Sequence, residues 1–107
     1  MAELHIQNLK CVKRHDPTGK DEAKLVIDGR TVSGPHSLGK GDDAPSIDHR
    51  EPFTGSVQVT LIEEDIGSDD DLGTVTITDA EAGLGVRHGY FMAKTHASYD
   101  MTYDVHG

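Results

Sequence analysis

Near its C-terminal end the chain alternates without a break. Tyr99, Met101, Tyr103 and Val105 are apolar, and Asp100, Thr102 and Asp104 between them are polar. A period of two is what a β-strand with one buried face requires, and it does not fit the 3.6-residue turn of a helix. The same period returns at residues 57–61, where Val57, Val59 and Leu61 point one way and Gln58 and Thr60 the other. It returns again where Val75 and Ile77 alternate with Thr74, Thr76 and Thr78. No stretch carries a helical apolar stripe. Several short strands, each with one face to bury, predict an all-β fold. The expected form is an antiparallel β-sandwich of seven to eight strands with Greek-key connections.

Residues 3–13 read as the first strand, with Leu4, Ile6, Leu9, Cys11 and Val12 apolar. The parity changes between Ile6 and Leu9, which predicts a bulge near Gln7 and Asn8. Residues 15–22, HDPTGKDE, carry Asp-Pro and Thr-Gly turn signals and read as a loop. A strand over 23–27 leads into Asp28-Gly29, a two-residue hairpin signal, with the return strand at 30–33. Residues 34–52 are rich in Gly, Pro and Asp and read as one long loop, with a short turn near 45–48. Gly39-Lys40-Gly41 within it lacks the spacing of a phosphate loop. Residues 79–85 read as a turn or a brief helical turn, and 86–95 as a strand.

At 107 residues the chain is expected to be a single domain spanning 1–107. Its net charge of −9 disfavours nucleic acid and disfavours anionic lipid unless a cation intervenes. The one cysteine, Cys11, excludes a disulfide framework and reads as a small core residue. No cleavable signal peptide or membrane span is visible, an expectation compatible with a cytoplasmic protein or a mature secreted form.

The charge is concentrated. Six acidic side chains fall within residues 63–71, between two alternating runs. By itself this stretch reads equally as a solvated acidic turn or as an oxygen-rich cation site. A second acidic loop, with Asp16 and Asp21, also stands at a strand end. If both loops share one end of the sandwich, Asp16, Asp21, Glu63, Asp65 and Asp71 converge, with Asp69 and Asp70 in reserve. Glu63 and Asp65 are two apart on a strand and leave it on one side, while Glu64 faces away. Gly67 and Gly73 let the chain fold back and re-enter the sheet.

These two loops resemble those of the calcium-dependent C2 domain, an eight-stranded β-sandwich. Its first calcium loop runs roughly Asp-x-x-Gly-x-Ser-Asp, and this chain has Asp16-Pro-Thr-Gly-Lys-Asp21. Its third loop runs Asp-x-Asp, about five residues, Asp, then a hydrophobic-Gly pair and a strand. This chain has Glu63-Glu-Asp65, then Asp71-Leu-Gly73 before the alternating run. The chain departs from the pattern in a first loop one residue short, in Glu63 for Asp, and in lacking the family's Asn-Pro-x-Trp-Asn segment. Asp70 or Asp71 closes the third loop, according to the alignment. The resemblance implies a compact C2-like module with Ca2+ as cofactor, ordering the acidic loops for binding or structural stabilisation. It implies contact with an anionic membrane only through Ca2+. The glycine- and aspartate-rich loop, with Ile66 as its one apolar tip, favours a protein or glycan partner instead. The alternative is a metal-independent, adhesin-like interaction module using loop 34–52.

Seven histidines are scattered, with no His-Glu-x-x-His spacing and no cysteine pair to support zinc. They read as surface residues, although His15, beside Asp16, is placed to contact the cation site. No nucleophile elbow exists, and Ser46, Asp48 and His49 lie too close along one segment to form a triad. A non-enzymatic protein is expected.

Overall fold

Strand formation follows the alternation of apolar side chains. The computed structural model describes residues 1–15, 19–44, 47–65, 68–93 and 97–107, with Asp65 and Ser68 described by their backbone alone. Nine strands are present among these residues: β1 (Ala2–Lys13), β2 (Asp21–Ile27), β3 (Arg30–Leu38), β4 (Asp43–Ala44), β5 (His49–Phe53), β6 (Ser56–Asp65), β7 (Ser68–Thr78), β8 (Arg87–Met92) and β9 (Ser98–His106). A 3₁₀ turn, Asp79–Glu81, follows β7 where a brief helical turn was expected.

One sheet runs β4-β1-β9-β8 with β5 also paired to β1, and the other runs β3-β2-β6-β7. All pairings are antiparallel. Strand β5 pairs with residues 2–6 of β1, and β4 with Leu9 and Lys10. The two occupy one edge in succession, so the sandwich has eight strand positions, as expected. Inward-facing residues of both sheets form one core: Leu4, Ile6 and Leu9 of β1 and Met101 of β9 meet Leu25 of β2 and Leu61 of β6, all at 0% exposure. Cys11 is buried among them, and burial pushes its thiol pKa up, away from reactivity.

Two local expectations hold. The β1–β9 register shifts between Ile6 and Asn8, where the parity change predicts a bulge. Asp28 and Gly29 both have positive φ, 51° and 74°, the conformation of a two-residue type I′ hairpin.

Two others are corrected. The segment 34–52 is not one long loop. Strand β3 continues through Gly34 and Pro35 to Leu38, and β4 and β5 occupy much of the rest. Proline is tolerated because β3 is an edge strand, where a missing N–H removes no essential ladder bond. Nor is the acidic stretch an open loop. Residues 63–65 belong to β6 and 68–71 to β7, in one continuous hairpin. Its register places Glu63 opposite Asp70, Glu64 opposite Asp69 and Asp65 opposite Ser68.

Candidate metal centre at the acidic end

Like charges directly opposed across a ladder destabilise it, so positive groups near the β6–β7 hairpin offset that repulsion. On the outer face the cation is Lys24 of β2. Its Nζ lies 2.9 Å from Glu64 Oε1 and 3.5 Å from Asp69 Oδ2. The Glu64 hydrogen bond holds the ammonium above the ordinary lysine pKa. Inward, the alternation that buries Val59 and Leu61 carries on to Glu63, which is 1% exposed. Asp70 faces it, and His15 from the β1–β2 connection reaches across, its Nε2 3.2 Å from Asp70 Oδ2. One ligand atom each of His15, Glu63 and Asp70 lie within 4.8 Å of one another.

The two acidic segments therefore share one end of the sandwich. Asp21 ties the β1–β2 segment to β9 beneath this end. It is fully buried, and its Oδ2 accepts hydrogen bonds from the His15 N–H at 2.6 Å and from the Tyr99 hydroxyl at 2.5 Å. Burial, then the Asp21 hydrogen bond, raises the Tyr99 pKa, so its hydroxyl stays a donor. Beside the cluster lies a cavity of about 470 Å³ lined by His15, Asp70, Asp71, Leu72, Gly73, Met92 and Ala93. The end of β8, with Met92 and Ala93, thus lies at the same end.

The sequence candidates are distributed unevenly around this centre. Glu63 lies in it, and the reserve Asp70 lies with it. Asp71 stands opposite the outward Ile62, is exposed, and turns its Oδ1 onto the Gly73 N–H at 2.8 Å, on the cavity rim. Asp21 is adjacent, with Oδ2 committed to holding the loop. Asp69 belongs to the Lys24 clamp on the outer face. Asp16 lies outside the described residues, as do Ile66 and Gly67, and of Asp65 only the backbone is described.

The exchange of Asp71 for Asp70 has a local cause. The β6–β7 register shifts between Thr60 and Ile62, so Ile77 and Leu72, of opposite parity, both face the core. A bulge of one residue reverses every side chain beyond it. His15 was legible only as a neighbour of Asp16.

The donor chemistry suits a hard divalent cation. Calcium takes six to eight oxygen ligands, and the described donors are mainly carboxylate oxygens, with His15 the single nitrogen among them. Glu63 and Asp70 are the described residues that would hold such an ion, with Asp71 within reach of the rim.

No protein-family model matches this chain, and no curated protein matches it. Solved structures do. A structure described as a C2 domain aligns with a TM-score of 0.63 at 14% identity over 100% of both chains. The C2A and C2B domains of Extended-Synaptotagmin 2 align at 0.52 and 12% identity, over 98% of this chain and 39% of that one. Human GIVD cytosolic phospholipase A2, in complex with a fluorophosphonate inhibitor and terbium chloride, aligns at 0.57 and 12% identity, over 98% of this chain and 17% of the enzyme. The fold is C2-like.

Proposed function

We propose that this C2-like module is a non-enzymatic calcium-binding protein whose acidic end is ordered by the ion. The observation that carries this reading is the inward pair Glu63–Asp70, directly opposed across the β6–β7 ladder beside His15, Met92 and Ala93. Two opposed carboxylates repel, and a divalent cation between them converts that repulsion into attraction. Asp16 and Asp65, from the same two segments, are the sequence candidates to complete the oxygen shell.

Calcium titration by calorimetry, with magnesium as control and melting curves against a chelator, tests this. A saturable heat is expected, together with a stability gain of about 2.7 kcal/mol at about a hundred times Kd. Asp70→Asn, at a partly exposed site, should weaken both. A chain with no calcium heat and the same melting temperature in chelator and calcium would be a metal-independent module.

One observation favours a membrane role for the same site. Met92, on the cavity rim, is 77% exposed, an apolar side chain beside the proposed ion. Adding anionic vesicles to the titration reads this directly. Calcium-dependent sedimentation lost in Met92→Asp supports it, and sedimentation indifferent to calcium rejects it.

A further inference from the structure

The outer face of the other sheet carries a second cluster of metal-binding groups, away from the acidic hairpin. His5 on β1 stands directly opposite Asp104 on β9, and His106 stands opposite Glu3. Alternation turns all of these outward, because Leu4, Tyr103 and Val105 between them are buried. The Asp104 carboxylate lies between the two imidazoles. Its Oδ1 is 3.4 Å from His5 Nδ1 and its Oδ2 is 3.1 Å from His106 Nε2. The ring centroids are 6.4 Å apart, and one ligand atom from each of the three residues lies within 4.8 Å of the others.

A second contact bears on what this arrangement is for. The other nitrogen of His5, Nε2, lies 2.6 Å from Asp48 Oδ1. A histidine whose far N–H is held by a carboxylate presents its near nitrogen as a lone pair, the arrangement found behind metal-ligating histidines. In that tautomer His5 Nδ1 would aim its lone pair at the Asp104 carboxylate, which is also an acceptor. A cation between them removes the conflict. Tetrahedral zinc, with bonds of about 2.0–2.1 Å, holds its ligand atoms about 3.3 Å apart. The 3.4 and 3.1 Å separations run to the two different oxygens of Asp104, so a bound ion would draw one of those oxygens and both nitrogens together from within the 4.8 Å they already share. Gln7 Nε2 donates to Asp104 Oδ1 at 3.0 Å, orienting the carboxylate. The nearby positive charge, Arg50, is engaged by Glu3 at 3.0 Å and lies 4.0 Å from Asp48.

We propose that His5, Asp104 and His106 form a binding site for a divalent transition-metal ion of the zinc class, with Asp48 as the hydrogen-bonded support of His5. Two borderline imidazole nitrogens beside one carboxylate oxygen suit zinc and its neighbours better than calcium. Three protein ligands leave one position for water. The site is distinct from the calcium reading of the acidic end and stands or falls separately.

The test is calorimetric titration of the full chain with zinc chloride, repeated with cobalt(II) to read its visible absorption. Saturable zinc binding is expected, with the intense cobalt bands of low-symmetry coordination. His106→Ala, at a side chain 52% exposed that cannot disturb the core, should weaken zinc by at least about tenfold. Asp48→Asn should weaken it by about tenfold through His5 alone. His15→Ala should leave zinc unchanged, and His106→Ala should leave the calcium response unchanged. Zinc binding that survives His106→Ala, that is lost in His15→Ala, or that is absent from the unmodified chain overturns the proposal.

Discussion

Asp21 lies fully buried with its Oδ2 between the His15 N–H and the Tyr99 hydroxyl, 78 residues away in sequence. A buried carboxylate needs such donors, because removing one exposes the full cost of its desolvation. Tyr99→Phe keeps the ring and deletes one donor. It should destabilise the protein by about 1.5–3 kcal/mol, the range for hydrogen bonds to charged groups. Urea unfolding followed by circular dichroism measures this, and a midpoint that does not move would show that Tyr99 contributes packing only. At this scale the sequence was half legible. Tyr99 was readable as core from its alternating run, and Asp21 only as one of the acidic residues near a strand end. Their contact was not readable, because nothing local links the first residue of β2 to a strand near the C-terminus.

Strands β3 and β7 illustrate how element boundaries and facing can escape a sequence pattern. In β3 the glycine and proline at 34 and 35 look like loop punctuation, yet the chain stays paired to β2 through a register shift between Ala23 and Leu25. Gly34 occupies φ +93°, and a Cβ there would approach the Ala23 carbonyl oxygen to 2.6 Å. Gly29 in the hairpin turn has φ +74° but open space around it. Gly29→Ala should therefore cost about 1–2 kcal/mol, the left-handed backbone term alone. Gly34→Ala should cost clearly more, since the strand must also shift. Comparing the two in urea checks the assignment, and equal losses would contradict it. In β7 the bulge beside Ile62 turns Asp70 inward and Asp71 outward. Glu63 needed no such information, being in unbroken phase with Val59 and Leu61.

Across the whole molecule, charge and burial set opposite limits of stability with pH. Burial alone would raise the Glu51 carboxyl, but hydrogen bonds from His49 and Arg30 outweigh it and hold the pKa below its ordinary 4.5. The Gly39 N–H, then Lys20, holds Asp42 below 3.8 despite some desolvation. Groups lowered in the folded state stabilise it above their unfolded values and lose that contribution as pH falls through the folded ones. At the other limit, burial and the Glu81 hydrogen bond push Tyr103 up to about 12 from 10.0, and Tyr99 is raised as well. Their contribution is complete below pH 10 and is lost as pH rises toward 12 and beyond. Urea midpoints should thus fall below about pH 4.5 and again above pH 10, and a midpoint flat from pH 9 to 12 would refute the alkaline arm. The sequence by itself determined the β-sandwich, its bulge in β1, its Asp28-Gly29 turn and the acidity of the stretch 63–71. These are properties of alternation, turn chemistry and composition, which act between near neighbours. Only the tertiary structure decided which carboxylates share a face, that His15 joins Glu63 and Asp70, and that His5 and His106 meet at Asp104. Those meetings depend on register between strands far apart in the chain, and a one-residue bulge reverses them without changing the pattern that made the strands.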